Sequence, residues 1–412
     1  MNHLQRCFPA AAISCLLSCL IGCSSASTQV SAVVPPTSPP SSPTPPPPPA
    51  STAKAKFAYI GNQGATQGAT QAPSLSGYAV NPTTGVLTPL NGFPFAFGSN
   101  PTLLTHDPQN RFLIVADSGA ADLLHVFAID NTTGALKEIS PSPYITKNQP
   151  GTVITDPSGT HVYLYVSGEN SAYPGQGGNQ VHAYNLSATG VLTEVVGSPF
   201  FTGSTGISES EDTPGMVTDA AGKFLYVQDL MHLYTFGIAA GSGALTLLQT
   251  LPLDVGSALA MDPAGSYLYT VGSNSILSYS IDPVSGLLKL AKSSPTVGTS
   301  GGFAITLSPN GQFAYTLEGN NPTFDLVSYE VSNGSFNPVG KAYPDMWGFQ
   351  LAVDPSGSFV YMPLACSFCP DGVYNVIYEF SIGSTGALTP LPGSPVPGGI
   401  TPFGITVTSQ SQ

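Results

Sequence analysis

Two short motifs alternate along this chain, and their alternation leaves very few folds open to it. The first is an aromatic residue, an apolar-alternating flank, an Asx or Ser, a Gly and a second flank. It reads "YAVNPTTGVLTPL" from Tyr78, "FAIDNTTGALKEI" from Phe127, "YNLSATGVLTEV" from Tyr184 and "FGIAAGSGALTLL" from Phe236. It returns as "YSIDPVSGLLKLA" from Tyr279, a degraded "YEVSNGSFNPV" from Tyr329 and "FSIGSTGALTPL" from Phe380, seven copies in all. The second motif is an apolar strand, Asp-Pro-x-Gly or a variant, and an aromatic strand. It reads "TVITDPSGTHVYLYV" (152–166), "MVTDAAGKFLYV" (216–227), "ALAMDPAGSYLYTV" (258–271), "AITLSPNGQFAYTL" (304–317) and "LAVDPSGSFVYMP" (351–363), with a looser copy over 103–115.

Both motifs are turn chemistry. Asp or Asn caps nearby backbone, Pro presets φ, and Gly accepts φ > 0. Each repeat then holds four short strands, a to d, with Asp-Pro-x-Gly as the a–b turn and the first motif as the c–d turn. A period of this kind is that of a propeller blade. The folded part begins with an orphan strand b, "KFAYI" from Lys56, and ends with an orphan strand a, "PFGITVTS" from Pro402. The expected fold is therefore all-β: a seven-bladed β-propeller of four-stranded blades spanning 56–410. The C-terminal strand a joins the N-terminal strands b–d, which closes the ring and hides its edges. Burial of both blade faces explains why the strands are apolar nearly throughout.

Composition agrees. Charged residues are only 8% of the 412, while Gly (45) and Pro (40) are abundant. No stretch after residue 60 keeps a helical apolar period. The net charge is −13 and no basic patch exists, so nucleic acid is excluded as a partner. The shortage of cations also argues against tight recognition of a sugar phosphate.

The N-terminus reads as an address and a tether. One cation, Arg6, precedes an apolar run from Ala10 to Ile21, too short to span a bilayer and suited to a signal-peptide core. It ends in Leu20-Ile21-Gly22-Cys23, which resembles the bacterial lipobox. That resemblance implies a signal peptide over 1–22, cleavage before Cys23 and lipidation of its thiol. The chain would then be a cell-envelope lipoprotein anchored to the membrane, with Ser24 fitting the outer membrane. An ordinary signal peptide or an uncleaved anchor is the alternative. Cleavage removes Arg6, takes the charge to −14, and leaves Arg111 and eight lysines as the cations. Residues 23–55 include "VVPPTSPPSSPTPPPPPAS", which favours polyproline II at roughly 3.1 Å per residue and forms a semi-rigid tether.

Cleavage leaves three cysteines. Besides Cys23 there are Cys366 and Cys369 in "ACSFCP". In an envelope compartment a local disulfide is the default. Free thiols stay open, as does redox or metal chemistry, though no depressing helix N-terminus or further ligands accompany the pair.

Function should sit on one face of the ring. The a–b and c–d turns are short and uniform and share a face. The b–c and d–a loops share the other and vary in length, and binding residues favour such loops. Carboxylates cluster there. Asp117 and Asp229 end b strands, Glu169 and Glu318 end two others, and Glu209, Glu211 and Asp212 lie in a long d–a loop. Together they could hold a divalent cation, Ca or Mg, through oxygen ligands, or supply an acid–base pair. The competing reading is a solvated acidic rim. Trp347 in "YPDMWGFQ" is either an aromatic platform at the channel mouth or core. The histidines in and beside the strands read as structural. No nucleophile elbow, HExxH, P-loop or dinucleotide fingerprint is present.

The stretches "SPNGQFAYTLEGN", "DPSGTHVYLYVSGEN", "VADSGAADLLHVFAID" and "IDPVSGLL" resemble the seven-bladed propeller lactonases, a family that includes a bacterial type of 6-phosphogluconolactonase. The resemblance runs from Lys56 to about Ser409. It implies hydrolysis of a lactone at the channel mouth, with Glu318 near the family's acidic position and Asp117 and Asp229 at its Asp-Leu-Gly-like strand ends. The family's Arg-His on one inner strand corresponds to about Phe303-Ala304 here, and its Pro-His on another to Pro214-Gly215. The acidic part is kept and the cationic part is absent. Two functions follow. One is a monomeric lactonase-like hydrolase acting on a sugar lactone or another uncharged lactone, with Glu169, Glu318, Asp117 and Asp229 as catalytic candidates and Trp347, Glu209, Glu211 and Asp212 as substrate-binding ones. The other is a non-catalytic envelope module that binds a glycan or protein at its loop face.

Overall fold

The computed structural model describes residues 53–410 apart from 65–71, 99, 120, 147, 168–177, 204–214, 230, 254–255, 299–300, 320–323, 347–349 and 366–374. It is a seven-bladed β-propeller. Seven antiparallel sheets follow one another, each ordered a-b-c-d from the inside outward, and no helix occurs among the described residues. The blades belong to one compact unit, Pro46–Gln412.

Blade 1 combines the two ends of the fold. Its strand b is Ala55–Asn62, its strand c Ser74–Val80, and its strand a is the C-terminal Pro402–Ser409, which pairs antiparallel with strand b. The closure expected from the two orphan strands is what forms. Thr408 Oγ1 strengthens it by accepting the Phe57 amide at 3.1 Å.

The blades grade from a buried inside to an exposed outside. The b strands of blades 2, 3 and 7 (Phe112–Asp117, His161–Val166 and Phe359–Leu364) are buried at every residue. The d strands of blades 4 and 5 (Leu245–Pro252 and Leu288–Pro295) are mostly exposed. In blades 1, 2, 3 and 7 strand d breaks in two where a proline interrupts it, so that Phe95–Ala96, Tyr144–Ile145, Phe200–Phe201 and Val396–Pro397 pair with strand c as separate pieces. A proline cannot donate to the ladder, which is why it sits at the outer edge.

The core is divided among the seams. Seven apolar clusters occur among the described residues, each joining two neighbouring blades. The turns knit these seams. In the a–b turns Asp107, Asp156, Asp219 and Asp354 each accept backbone amides four and five residues on at 2.6–2.8 Å. The reach is longer than the two residues of a simple Asx turn, and it fixes the start of strand b. In the c–d turns Asn81, Asp130 and Asp282 make that simple Asx turn, accepting amides two and three residues on.

A further pattern links the two kinds of turn across each seam. The first ring of strand b lies on the c–d glycine of the next blade: Phe57 on Gly134, Phe112 on Gly190, His161 on Gly243, Phe224 on Gly286, Tyr267 on Gly334, Phe313 on Gly386 and Phe359 on Gly85. Two residues further along strand b, Tyr59, Tyr163, Tyr226 and Tyr361 donate their hydroxyls to the carbonyls of Gly134, Gly243, Gly286 and Gly85 at 2.7–3.3 Å. The glycine is thus required twice, for φ > 0 and for a neighbour's ring.

Candidate functional site

The connections place the b–c and d–a loops together, at the face opposite the uniform turns. At that face the inner strands of blades 2, 3, 5 and 6 (Pro101–His106, Pro150–Thr155, Gly256–Met261 and Gly302–Leu307) each bulge near their first residues. Bulges re-aim side chains at barrel rims and ligand sites. Between the inner strands of blades 2 to 7 runs a cavity of about 270 Å³. Its wall is made of residues such as Leu103, Thr105, Met216, Leu259, Phe303 and Gln350, and no acidic, basic or histidine side chain lines it among the described residues. Gly215 and Gly404 keep the inner strands close: a β-carbon at Gly215 would lie 2.7 Å from the Leu259 amide nitrogen, and one at Gly404 would meet the Thr102 carbonyl. Phe303 lies in this wall, and Phe324 meets it edge-on at 4.6 Å between ring centroids.

Three candidate carboxylates lie within the described residues, each in a different blade. Asp117 ends strand b of blade 2 and is buried. Its Oδ1 accepts the Asn100 amide at 2.8 Å and the Gly119 amide at 2.9 Å. Its Oδ2 has no hydrogen bond and faces His125 Nε2 at 3.4 Å. Burial pushes this carboxyl up, but His125 and the two amides outweigh that and hold it below the usual carboxylate range.

Asp229 follows strand b of blade 4 (Phe224–Gln228). Its Oδ1 accepts the amides of Met231 and His232, and its Oδ2 accepts the Tyr234 hydroxyl at 2.9 Å and the Asn179 side chain at 3.3 Å. Glu318 lies in strand b of blade 6 (Phe313–Gly319) and is fully buried. Its Oε1 accepts Tyr329 (2.6 Å) and Thr316 (2.8 Å), and its Oε2 accepts the amides of Val297 (2.8 Å) and Gly298 (2.7 Å). All three carboxylates thus tie strand b to the loops of the same face. No group of three or more His, Cys, Asp or Glu side chains that could hold a metal ion occurs among the described residues. Glu169, Glu209, Glu211, Asp212, Trp347, Cys366 and Cys369 lie outside the described residues, as does Cys23.

Sequence reasoning passed over a pair of couplings at the outer edge. His125 Nδ1 contacts Glu138 Oε1 at 2.8 Å in blade 2, and His182 Nδ1 contacts Glu194 Oε1 at 3.2 Å in blade 3. Their signal is visible: "LHVFAIDNTTGALKEI" and "VHAYNLSATGVLTEV" place a His early and a Glu late in two successive copies of the c–d motif. Glu379 was also missed. It is fully buried on strand c of blade 7 (Val376–Ile382) and accepts the Leu87 amide of blade 1 through Oε1 at 2.7 Å. Its Oε2 has no hydrogen bond, and burial raises its pKa.

Comparison with known proteins agrees with this architecture. Residues 50–155 match the family model described as "Lactonase, 7-bladed beta-propeller". No curated protein matches the chain. Among solved structures, a candidate 6-phosphogluconolactonase from Bacteroides uniformis is 20% identical with a TM-score of 0.69, covering 86% of this chain and 99% of its own. A second, from Bacteroides fragilis, is 20% identical with a TM-score of 0.68 over 87% and 99%. The periplasmic gluconolactonase PpgL of Pseudomonas aeruginosa is 18% identical with a TM-score of 0.66 over 86% and 100%. At these identities the likeness is one of fold. The chain resembles the seven-bladed propeller lactonases in fold over its whole ring, and the family model covers strands b to d of blade 1, blade 2 and the first strand of blade 3.

Proposed function

We propose that this chain is a lactonase-like propeller that takes an uncharged lactone at the loop-rich mouth of its central channel. One observation carries the reading: the described channel wall carries no charged side chain, and its polar groups are threonines, Gln350 and backbone. Such a wall suits an uncharged ring and offers no clamp for a phosphate. The reaction would add water to the lactone carbonyl, break the ring acyl C–O bond and release a hydroxy acid. Glu169 and Asp117, whose Oδ2 has no hydrogen bond, are the carboxylates left to activate the water. Asp229 and Glu318 hold the loops of the mouth on their internal donors, and Trp347, Glu209, Glu211 and Asp212 serve as substrate contacts. We place the protein in a bacterial cell envelope as a monomer, anchored at Cys23, with Cys366 and Cys369 joined locally.

A second reading is a non-catalytic binding propeller for a glycan or protein. It is favoured by the full use of the oxygens of Asp229 and Glu318 on internal donors. A proton-release assay on γ- and δ-lactones, sugar lactones and 6-phosphogluconolactone separates the two, run with Ca²⁺, with Mg²⁺ and with EDTA. Turnover of uncharged lactones above the phosphorylated one supports the first reading. Silence on every lactone leaves the binding propeller.

A further inference from the structure

We propose that the seam between blades 2 and 3 is a binding site for an uncharged sugar, separate from the central channel. A cavity of about 510 Å³ opens there, within the range that holds a small-molecule ligand. Its wall includes Tyr144 and Thr146 from blade 2 and Gln180, His182, Tyr184 and Glu194 from blade 3.

The repeat shows how the cavity arises. The seam between blades 1 and 2 is built from the same positions. There Phe95 and Phe97 of blade 1 face His125, Phe127 and Glu138 of blade 2. Phe97 is buried and lies on the His125 ring at 4.5 Å, while Phe95 meets Phe127 edge-on at 5.8 Å. One seam on, Phe95 is replaced by Tyr144, Phe97 by Thr146 and Phe127 by Tyr184. The pairings fix this correspondence: Leu75 pairs with Phe95 and Leu124 with Tyr144, and Phe97 and Thr146 each donate their amide to the residue preceding strand c, Pro73 and Asp122. The histidine and its glutamate are kept, as His182 and Glu194. The same frame has lost the ring that fills it and gained three hydroxyls: Tyr144 Oη, which accepts the Leu192 amide, Thr146 Oγ1, which donates to the Asp122 and Asn148 carbonyls, and Tyr184 Oη.

The chemistry of the wall selects the occupant. No Lys or Arg lines it among the described residues, so a phosphate or carboxylate ligand finds no partner. A purely apolar ligand would strip water from the half-exposed Glu194 without replacing it. A cation would have one carboxylate, and Glu194 Oε1 already accepts Ser198 at 3.0 Å and contacts His182. Tyrosine rings beside an amide and a carboxylate suit a neutral polyhydroxylated ring. Its C–H faces lie on aromatic surface and its hydroxyls meet planar donors and acceptors.

The test uses the full chain and calorimetric titration with methyl β-D-glucopyranoside, N-acetylglucosamine and cellobiose, beside glucose 6-phosphate and choline as charged probes. Saturable binding of at least one neutral sugar is expected. Thr146→Phe restores the ring that fills the neighbouring seam and should abolish binding while the protein melts cooperatively. Glu194→Gln should weaken binding about tenfold, the loss of one charged hydrogen bond. It serves as the second variant if Thr146→Phe does not fold. Silence of all three sugars, or sugar binding untouched by both variants, overturns the proposal. Choline binding that Thr146→Phe removes, with the sugars silent, overturns the ligand class in favour of a cation.

Discussion

The imidazole of His161 lies flat against the α-carbon of Gly243 across the seam between blades 3 and 4. A β-carbon at Gly243 would collide with His161 Cδ2 and stand 2.7 Å from Nε2, and Gly243 also holds φ at +70°. His161 thereby occupies the ring position that Phe or Tyr fills in the other blades. It is a packing residue, and its chemistry is held locally: its amide donates to Asp156 Oδ1 at 2.6 Å.

That contact makes two neighbouring glycines unequal. Gly241, in the same turn, has φ +81° and nothing within 4 Å of the place a β-carbon would take. Gly241→Ala should cost about 1 kcal/mol, the strain of a left-handed L-residue. Gly243→Ala adds displacement of a buried ring and should cost about 3 kcal/mol or more. Denaturant unfolding of the two variants decides it. Equal losses would mean that φ alone explains the glycine.

The tyrosine ties give a second contrast. Tyr361 Oη donates to the Gly85 carbonyl at 2.7 Å across the closing seam. Tyr315 is buried at the same place in blade 6, yet its hydroxyl has no hydrogen-bond partner. Tyr361→Phe should cost about 1–2 kcal/mol by leaving a buried carbonyl unpaired, and Tyr315→Phe should be neutral or mildly stabilising. A Tyr315→Phe loss as large as that of Tyr361→Phe would contradict the assignment.

Much of the fold is legible in the sequence because turn chemistry is local. Asp354 and Gly357 of one a–b turn lie three residues apart, and the orphan strands at Ala55 and Pro402 announce the closure. The seams are less legible, because their partners are not local. Phe57 explains Gly134 only once two blades stand side by side. Asp117, Asp229 and Glu318 stand at or beside the ends of their b strands, where the repeat puts them. Their partners were hidden, since Asn100, Val297 and Gly298 offer backbone amides that any residue could supply. The change from Phe97 to Thr146 lies outside both repeated motifs, where no shared wording aligns one blade with the next.

His106 sets an acid limit on the ring. It ends strand a of blade 2, and its Nδ1 contacts Thr406 Oγ1 of the closing strand at 2.8 Å. Burial lowers its pKa to about 4, with Asp107 pulling weakly the other way. The unfolded chain therefore binds this proton more readily than the folded one. The associated stability is present above pH 6.5 and is lost as pH falls toward about 4. Because the ring keeps some contact with solvent, a loss of about 1–2 kcal/mol is expected over that window. His106→Gln keeps a hydrogen-bonding side chain and should flatten the slope of stability against pH there. An unchanged slope would remove His106 as its source.

Glu379 acts in the opposite sense at the seam that closes the ring. The side chain reaches from blade 7 to the Leu87 amide of blade 1 with one oxygen and leaves the other unpaired in the interior. Burial raises its pKa, with the Leu87 amide opposing weakly. A raised carboxyl favours the folded state while it is protonated, and that advantage disappears as pH rises through its folded pKa. Once ionised, the carboxylate is a buried charge with a single donor. Glu379→Gln keeps an oxygen for Leu87 and removes the charge, so it should stabilise the protein by about 1 kcal/mol at pH 7. The gain should shrink as pH falls toward the ordinary glutamate range. Thermal melts of both proteins across pH 4 to 8 test this, and a variant less stable than the parent at pH 7 would show that the second oxygen has a partner in solution.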